Sequence, residues 1–211
     1  MKKINKLIIA CDGESASGKS TAAKLISKKY GLLLINSGLL YRFASKLILN
    51  NKPKNVISYL NSKFKTISYK KISRLNLHSE KISNHVSTLA KDKKVRNIIN
   101  NFQKKIIKSN KKICVEGRDI ASKILSKNPK YDIAFYFKCN IDVASYRRWL
   151  DLKKSVSLKK VRKSLQNRTF MDKKRKHSPL KKVKGAILIQ TDKLSKKDVL
   201  LKMSKNIEKI I

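Results

Sequence analysis

The residues Gly13-Glu14-Ser15-Ala16-Ser17-Gly18-Lys19-Ser20 have the types and spacing of a phosphate-binding loop, G-x-x-x-x-G-K-[ST]. Its two glycines let the backbone wrap an anion, its N–H groups point at that anion, and a helix N-terminus adds partial positive charge. Lys19 can bring a point charge to the β- and γ-phosphates, and the Ser20 hydroxyl can ligate Mg²⁺. The apolar run Leu7–Cys11 stands directly before the loop, and Ala22, Leu25 and Ile26 follow at helical spacing. In this strand–loop–helix context, Gly13, Glu14, Ser15, Ala16, Ser17, Gly18, Lys19, Ser20 and Thr21 are the expected nucleotide-binding segment.

Two further groups are expected at the same end of a sheet. The chain has only 6 glycines, and beyond the two in the loop, Gly38 and Gly117 lie in Asn36-Ser37-Gly38 and Glu116-Gly117-Arg118-Asp119. Each stretch begins where an apolar run stops, and in open parallel sheets the carboxyl ends of the strands form the ligand crevice. Arginine adds a second clue. Nine of the basic residues are Arg and 44 are Lys, so an Arg suggests a need for the planar fork that grips phosphate or carboxylate. Arg42 and Arg118 fall in these strand-end stretches, Arg96 lies on a predicted helix, and Arg147, Arg148, Arg168 and Arg175 flank or occupy a Lys-rich segment. Arg74 and Arg162 have no such place.

These groups must be held by elements. Apolar runs at Leu7–Cys11, Leu32–Ile35, Ile113–Val115, Ile133–Phe137 and Ala186–Ile189 read as buried strands, with helix-period stretches between them. The first helix is predicted to open at Gly18–Thr21 and end near Gly31, another to cover Ser79–Ser109, and the last Ser195–Ile210. Strands alternating with helices predict a three-layer α/β fold around a parallel sheet. Residues 52–77 look like a small insertion with weak strand-like pieces at Lys65–Tyr69 and Leu75–Leu77. Residues 151–176 are helix-compatible, Lys-rich and poor in large apolar residues, so they are expected to be mobile over the sheet's edge. The expected organisation is one domain, with a core of 1–51, 78–150 and 177–211.

Composition sets bounds on function. The 211 residues carry 53 Lys plus Arg against 13 Asp plus Glu, a formal charge of +40. A polynucleotide-binding footprint should cluster, but here Lys is scattered, and aromatic residues make up only 7%. Most of the charge therefore reads as solvated surface, with no specific nucleic-acid partner. The start, Met1 to Cys11, superficially resembles a secretory leader, but its apolar stretch Leu7–Ala10 is shorter than the roughly 7–15 residues a leader core needs. No run approaches the roughly 20 apolar residues of a membrane span. Cys11, Cys114 and Cys139 have no metal or disulfide spacing and read as reduced core thiols of a cytoplasmic protein. His78, His85 and His177 form no pattern and are expected at the surface, and Trp149 is expected to pack the start of the Lys-rich segment.

Taken in order, four motifs resemble those of the nucleoside monophosphate kinases, and within them the cytidylate kinases: Cys11-Asp12-Gly13 through Thr21; Asn36-Ser37-Gly38-Leu39-Leu40-Tyr41-Arg42; Glu116-Gly117-Arg118-Asp119; and Arg168-Thr169-Phe170-Met171-Asp172-Lys173-Lys174-Arg175 followed by Pro179-Leu180. The resemblance runs over nearly the whole chain. It implies a five-stranded parallel sheet with helices on both faces, a small insertion for the monophosphate, and a helical lid at about 151–176. It also implies ATP-dependent phosphorylation of CMP and dCMP with Mg²⁺, by a monomer with no membrane partner. Carried over residue by residue, Lys19, Arg118, Arg168 and Arg175 would be the catalytic cations. Ser37, Tyr41, Arg42, Ser87, Arg96, Arg118, Asp119, Arg168 and Asp172 would hold CMP, with Asp119 accepting from the cytosine amine. For Ser37 and Tyr41, capping and helix packing are the plainer alternative. Ser20 would ligate the metal, and Glu116 and Asp12 would reach it through water, with turn-capping as the alternative for Asp12. Asn36, Thr169, Ala121 and Glu14 depart from the usual Asp, Asp, Gly and Pro. Two other readings stay open: a P-loop kinase for another small molecule, and a basic nucleic-acid-binding module.

Overall fold

The structure, a computed structural model, describes residues 5–211. The first four residues of the leader-like stretch lie outside the described residues. The chain divides into two compact units, one formed by residues up to Ile35 and Asn110–Ile211, the other by Asn36–Ser109.

The first unit is built on a five-stranded parallel sheet in an α/β fold. Its strands are β1 (Leu7–Gly13), β2 (Leu33–Asn36), β3 (Lys112–Gly117), β4 (Ile133–Lys138) and β5 (Ile187–Gln190), in the order β2-β3-β1-β4-β5. All seven residues of β1 are buried, which is why the run reads as continuously apolar rather than alternating. Its neighbours fix its register: Cys11 lies opposite Glu116 of β3, and Gly13 opposite Phe137 of β4. Helix α1 (Lys19–Tyr30) and the last helix pack Ala22, Ala23, Ile26, Val199, Met203 and Ile207 against Ile9, Cys11, Cys114, Phe135 and Phe137. Gly31 ends α1 in the left-handed conformation that glycine adopts at no steric cost. After β3 the chain makes one π-helical turn, Ile120–Ile124.

The Lys-rich segment buries more than its composition predicts. Two of its few apolar side chains, Val161 and Leu165, are buried with Cys139 and Ala144, with Trp149 packed against them and its indole N–H donating to the Val156 carbonyl at 2.9 Å.

The second unit is all helical: α2 (Ser37–Asn51), α3 (Val56–Thr66), α4 (Tyr69–Ser73), α5 (Glu80–Leu89) and α6 (Lys93–Lys108). Two sequence expectations are corrected here. The weak strands expected at Lys65–Tyr69 and Leu75–Leu77 are not formed. Asn55 and Ser68 cap α3 and α4, and Leu60, Phe64 and Ile72 go into an apolar core, a helical periodicity masked by the surrounding Lys and Asn. The single helix expected over Ser79–Ser109 is two. Asp92 accepts from the backbone N–H groups of Lys94 and Val95 and so starts a new helix. Phe64 sits edge-to-face between Phe43 and Phe102, with centroids 5.5 and 5.2 Å away.

The remaining helices of the first unit are α7 (Ile141–Asp151), α8 (Leu158–Lys174) and α9 (Lys196–Ile207). Ser195 caps α9 and Asp198 reaches back to it, a reciprocal capping box. No helix of the described residues is long and apolar enough to cross a membrane.

Candidate active site

The phosphate loop is shaped by three supports. Gly13 lies so close to β4 that an added Cβ would come 2.5 Å from the Phe137 carbonyl oxygen, so only glycine fits. Gly18 has φ +75°, the left-handed turn that points the loop into α1. The Glu14 N–H donates to the Phe137 carbonyl at 3.1 Å, and the Ser17 hydroxyl donates back to the Glu14 carbonyl at 2.9 Å. Thr191, just past β5, buttresses the loop by donating its hydroxyl to the Ser17 carbonyl at 3.1 Å.

Register places Glu116 beside β1 at the start of this loop. Its Oε2 accepts from Lys19 Nζ at 2.8 Å and from Ser20 Oγ at 2.7 Å. The Lys19 and Glu116 side chains are 7% and 2% exposed, so the ion pair is buried, whereas Ser20 is exposed. Ser20 Oγ and the Glu116 carboxylate make an oxygen donor set of the kind Mg²⁺ uses, since that ion takes one or two protein ligands and completes its shell with water and phosphate oxygens. Among the described residues there is no cluster of three or more His, Cys, Asp or Glu able to hold a metal by itself.

Asp12 does something else. Its two carboxylate oxygens accept from the N–H groups of Ile120 and Ala121, each at 2.8 Å. This is the turn-holding alternative. It pins the π-helical turn against β1 and orients the Arg118-Asp119 pair just before it. Burial pushes the Asp12 carboxyl up to about 6, against the pull of those two amides.

Four polar side chains beyond the loop form one network. Arg118 Nε donates to Asp172 Oδ2 at 2.8 Å, and its Nη2 to the Ser15 hydroxyl at 3.3 Å. Arg175 Nη1 lies 3.4 Å from Asp172 Oδ1, its Nη2 3.5 Å from Asp119 Oδ1, and its Nε donates to the Ser178 carbonyl at 2.5 Å. Asp172 therefore divides its two oxygens between two arginines, and Arg175 couples it to Asp119. Helix α8 carries Arg168, half-buried, one turn before Asp172.

A family model described as cytidylate kinase matches residues 9–209. The chain belongs to the cytidylate kinase family. It is 32% identical to a cytidylate kinase of Fusobacterium nucleatum, over 98% of this chain and all of that protein. It is 30% identical to a cytidylate kinase of Clostridium tetani, over 98% of this chain and 96% of that one. Among solved structures, an uncharacterised protein from Eubacterium ventriosum shares the fold, with a TM-score of 0.59 at 19% identity, covering 97% of this chain and 99% of the other. Cytidylate kinases are phosphotransferases with ATP as phosphoryl donor.

The other sequence-predicted residues of this family member lie in the helical unit. Ser37 and Tyr41 are buried on α2. Arg42 is buried and donates from Nη1 to the Leu77 carbonyl at 3.0 Å and to the Ser83 hydroxyl at 2.8 Å. Arg96, on α6, donates to the Ala90 carbonyl at 3.1 Å and stacks its guanidinium 5.6 Å from the Tyr41 ring centroid. Ser87 is half-buried on α5. Asn36, departing from the usual Asp, still caps α2 by accepting from the Leu39 N–H at 3.2 Å.

Some readings need correction. Against the expectation of an anion site, Arg147 Nη2 donates to the carbonyls of Thr191 and Asp192 at 3.0 and 3.1 Å, clamping the loop after β5. Arg162, for which no anion site is expected, faces Asp142 on the surface, 3.1 Å away, in line with that reading. His78 is exposed as expected, but His85 is half-buried, with its Nδ1 buried and without a hydrogen-bond partner. Sequence reasoning missed three participants. Thr191 had no motif around it. Tyr136, on β4, faces Asp12, Glu14 and Arg118, and burial pushes its hydroxyl up to about 12. Lys173 was one lysine among 44; its ion pair with Glu14 is visible only in three dimensions.

Proposed function

We propose that the chain transfers the γ-phosphoryl group of ATP to CMP and dCMP, giving CDP and dCDP. The observation that carries this reading is the double use of Glu116, which holds both Lys19 and Ser20 within 2.8 Å beside the phosphate loop. A cation and a hydroxyl able to ligate a metal are thereby held side by side at the loop where the triphosphate would bind.

The loop amides and α1 N-terminus grip the β- and γ-phosphates, and Lys19 stabilises the charge that spreads over the transferred group. Ser20, with Glu116 through water, would hold Mg²⁺, which would supply further charge neutralisation. The attacking monophosphate oxygen is already anionic, so no general base is assigned. Arg118, Arg168 and Arg175 are the cations on the phosphoryl groups, with Asp172 orienting the arginines and reaching the pentose. On the same reading Ser37, Tyr41, Arg42, Ser87 and Arg96 bind the nucleoside monophosphate. Asp119 accepts a hydrogen bond from the cytosine amine; uracil offers a carbonyl there and would face acceptor against acceptor. Residues 52–77 act as the monophosphate-binding insertion, and residues 151–176 as the lid that closes over the phosphates. Two small anionic substrates require no macromolecular partner, and the reading is of a cytoplasmic monomer.

The test is steady-state ADP release with ATP and Mg²⁺ across CMP, dCMP, UMP, AMP and GMP. CMP and dCMP should be turned over well above the rest. Equal rates with UMP and CMP would remove the Asp119 assignment, and turnover of only a different acceptor would replace the substrate.

A further inference from the structure

Helix α8 touches the phosphate loop through one face. Thr169 Oγ1 accepts from the Ser15 N–H at 3.4 Å, Asp172 takes Arg118, and Lys173 Nζ lies 2.7 Å from Glu14 Oε1. Positions 169, 172 and 173 are spaced i, i+3 and i+4, so all three side chains leave the same stripe of the helix. They meet neighbouring residues of the loop, because Arg118 also reaches Ser15.

Glu14 is the anomaly in this contact. A carboxylate stands in a loop whose purpose is to hold an anion, with its side chain only 13% exposed, while Lys173 is 47% exposed. The Glu14 N–H is fixed to β4, so the residue cannot swing far from the anion site. Left alone, its charge would repel a triphosphate in a cleft where solvent screens weakly.

We propose that Glu14 and Lys173 form a latch that seats α8 on the phosphate loop, in which Lys173 is a positioning residue that masks the Glu14 carboxylate from the incoming triphosphate. The masking half rests on the phosphoryl-transfer reading; the latch half does not. The pair makes closure of the segment and acceptance of the anion one event. When α8 is lifted, the loop carries an uncompensated negative charge, and when α8 is seated, that charge is neutralised.

Two readouts test this. The sole tryptophan, Trp149, packs against the cluster that joins Val161 and Leu165 of α8 to Cys139 and Ala144 and that Ala16 of the loop also touches, so acrylamide quenching of its fluorescence reports how firmly the helix is seated, independently of turnover. Steady-state kinetics at saturating CMP give KM for ATP and kcat. Lys173→Met should raise KM for ATP by about fivefold to tenfold, with kcat within about twofold, and should raise quenching by about half. Glu14→Gln should raise quenching equally and lower KM for ATP, because the carboxylate itself is gone. The double variant should return KM to within about twofold of wild type, and Lys173→Arg should resemble wild type in both readouts. Unchanged quenching in Lys173→Met overturns the latch. A double variant that keeps the raised KM overturns the masking. A wild-type protein with no ATP-dependent turnover would overturn the phosphoryl-transfer reading and the masking with it, while the quenching series would still decide the latch.

Discussion

Lys19 and Glu116, 97 residues apart, form a buried ion pair at 2.8 Å whose acceptor oxygen is shared with Ser20. A buried pair of this kind is costly to assemble and costlier to break, because removing one partner strands the other's charge. Lys19→Met should therefore act twice. Turnover should fall by roughly a hundredfold to a thousandfold, and stability by about 3 kcal/mol. Denaturant melts alongside ATP-dependent kinetics check both; an active Lys19→Met enzyme would contradict the assignment of the loop.

Asp119 should govern the choice of base. Replacing it by Ala removes both the acceptor for the cytosine amine and the acceptor that opposes uracil's carbonyl. The ratio of kcat/KM for CMP over UMP should drop by at least about tenfold, mostly through a loss with CMP. Arg175 lies 3.5 Å from this carboxylate, so Asp119→Asn, which keeps the shape, separates the hydrogen-bond role from loss of the arginine's anchor.

Asp12 gives a pH dependence with a definite sign. Its carboxyl is held at about 6 in the folded protein against 3.8 ordinarily. Between these values the native state binds more protons than the unfolded state, so this group's contribution to stability falls as pH rises from about 4 to 6 and is flat above. The shift corresponds to a change on the order of 3 kcal/mol. The cost of Asp12→Asn should accordingly be larger at pH 4 than at pH 7, measured by urea unfolding of both proteins. Activity should respond the other way. Below about 6 the protonated carboxyl no longer accepts from both Ile120 and Ala121, and kcat/KM should decline.

Gly13 leaves no room for a side chain. Gly13→Ala drives a methyl into the Phe137 carbonyl and Cβ, at 2.5 and 2.7 Å, separating β1 from β4 at the root of the loop. A loss of about 1–3 kcal/mol with weakened ATP binding is expected from thermal melts and titration. Gly185→Ala meets nothing within 4 Å, though its φ of +80° still carries a strain penalty, so it should melt lower without a defect in ATP binding.

How much of this was written in the chain depends on the range of the interaction. The five strands were legible because each is a short apolar run closed by polar or turn residues, and the loop because glycine and lysine spacing is a local signal. The helices of residues 52–77 were not, since the few buried apolar side chains Leu60, Phe64 and Ile72 are diluted by lysine and asparagine, although Asn55 and Ser68 were readable caps. The break at Asp92 is also a local signal, a capping residue that the continuous apolar periodicity on either side of it hides. At the site, Arg118, Asp119, Asp172 and Arg175 were found through their motifs, but how they pair was not. The ion pair of Lys173 with Glu14 spans 159 residues, and nothing in either neighbourhood distinguishes that lysine from the others. Arg147 shows the converse: rarity of its type suggested an anion, while the fold uses its fork on two carbonyls.

The three thiols have a practical consequence. Cys11, Cys114 and Cys139 are all free and buried. Cys11 and Cys114 lie 3.9 Å apart, sulfur to sulfur, and that contact together with burial raises the Cys11 thiol well above its ordinary range. Burial raises Cys139 as well. A maleimide added to the native protein therefore finds no ready target, and its slow incorporation counts openings of the sheet at Cys11 and Cys114 and of the α7–α8 packing at Cys139. A single cysteine placed on the surface would in turn be the one fast-reacting handle for attaching a dye or a support.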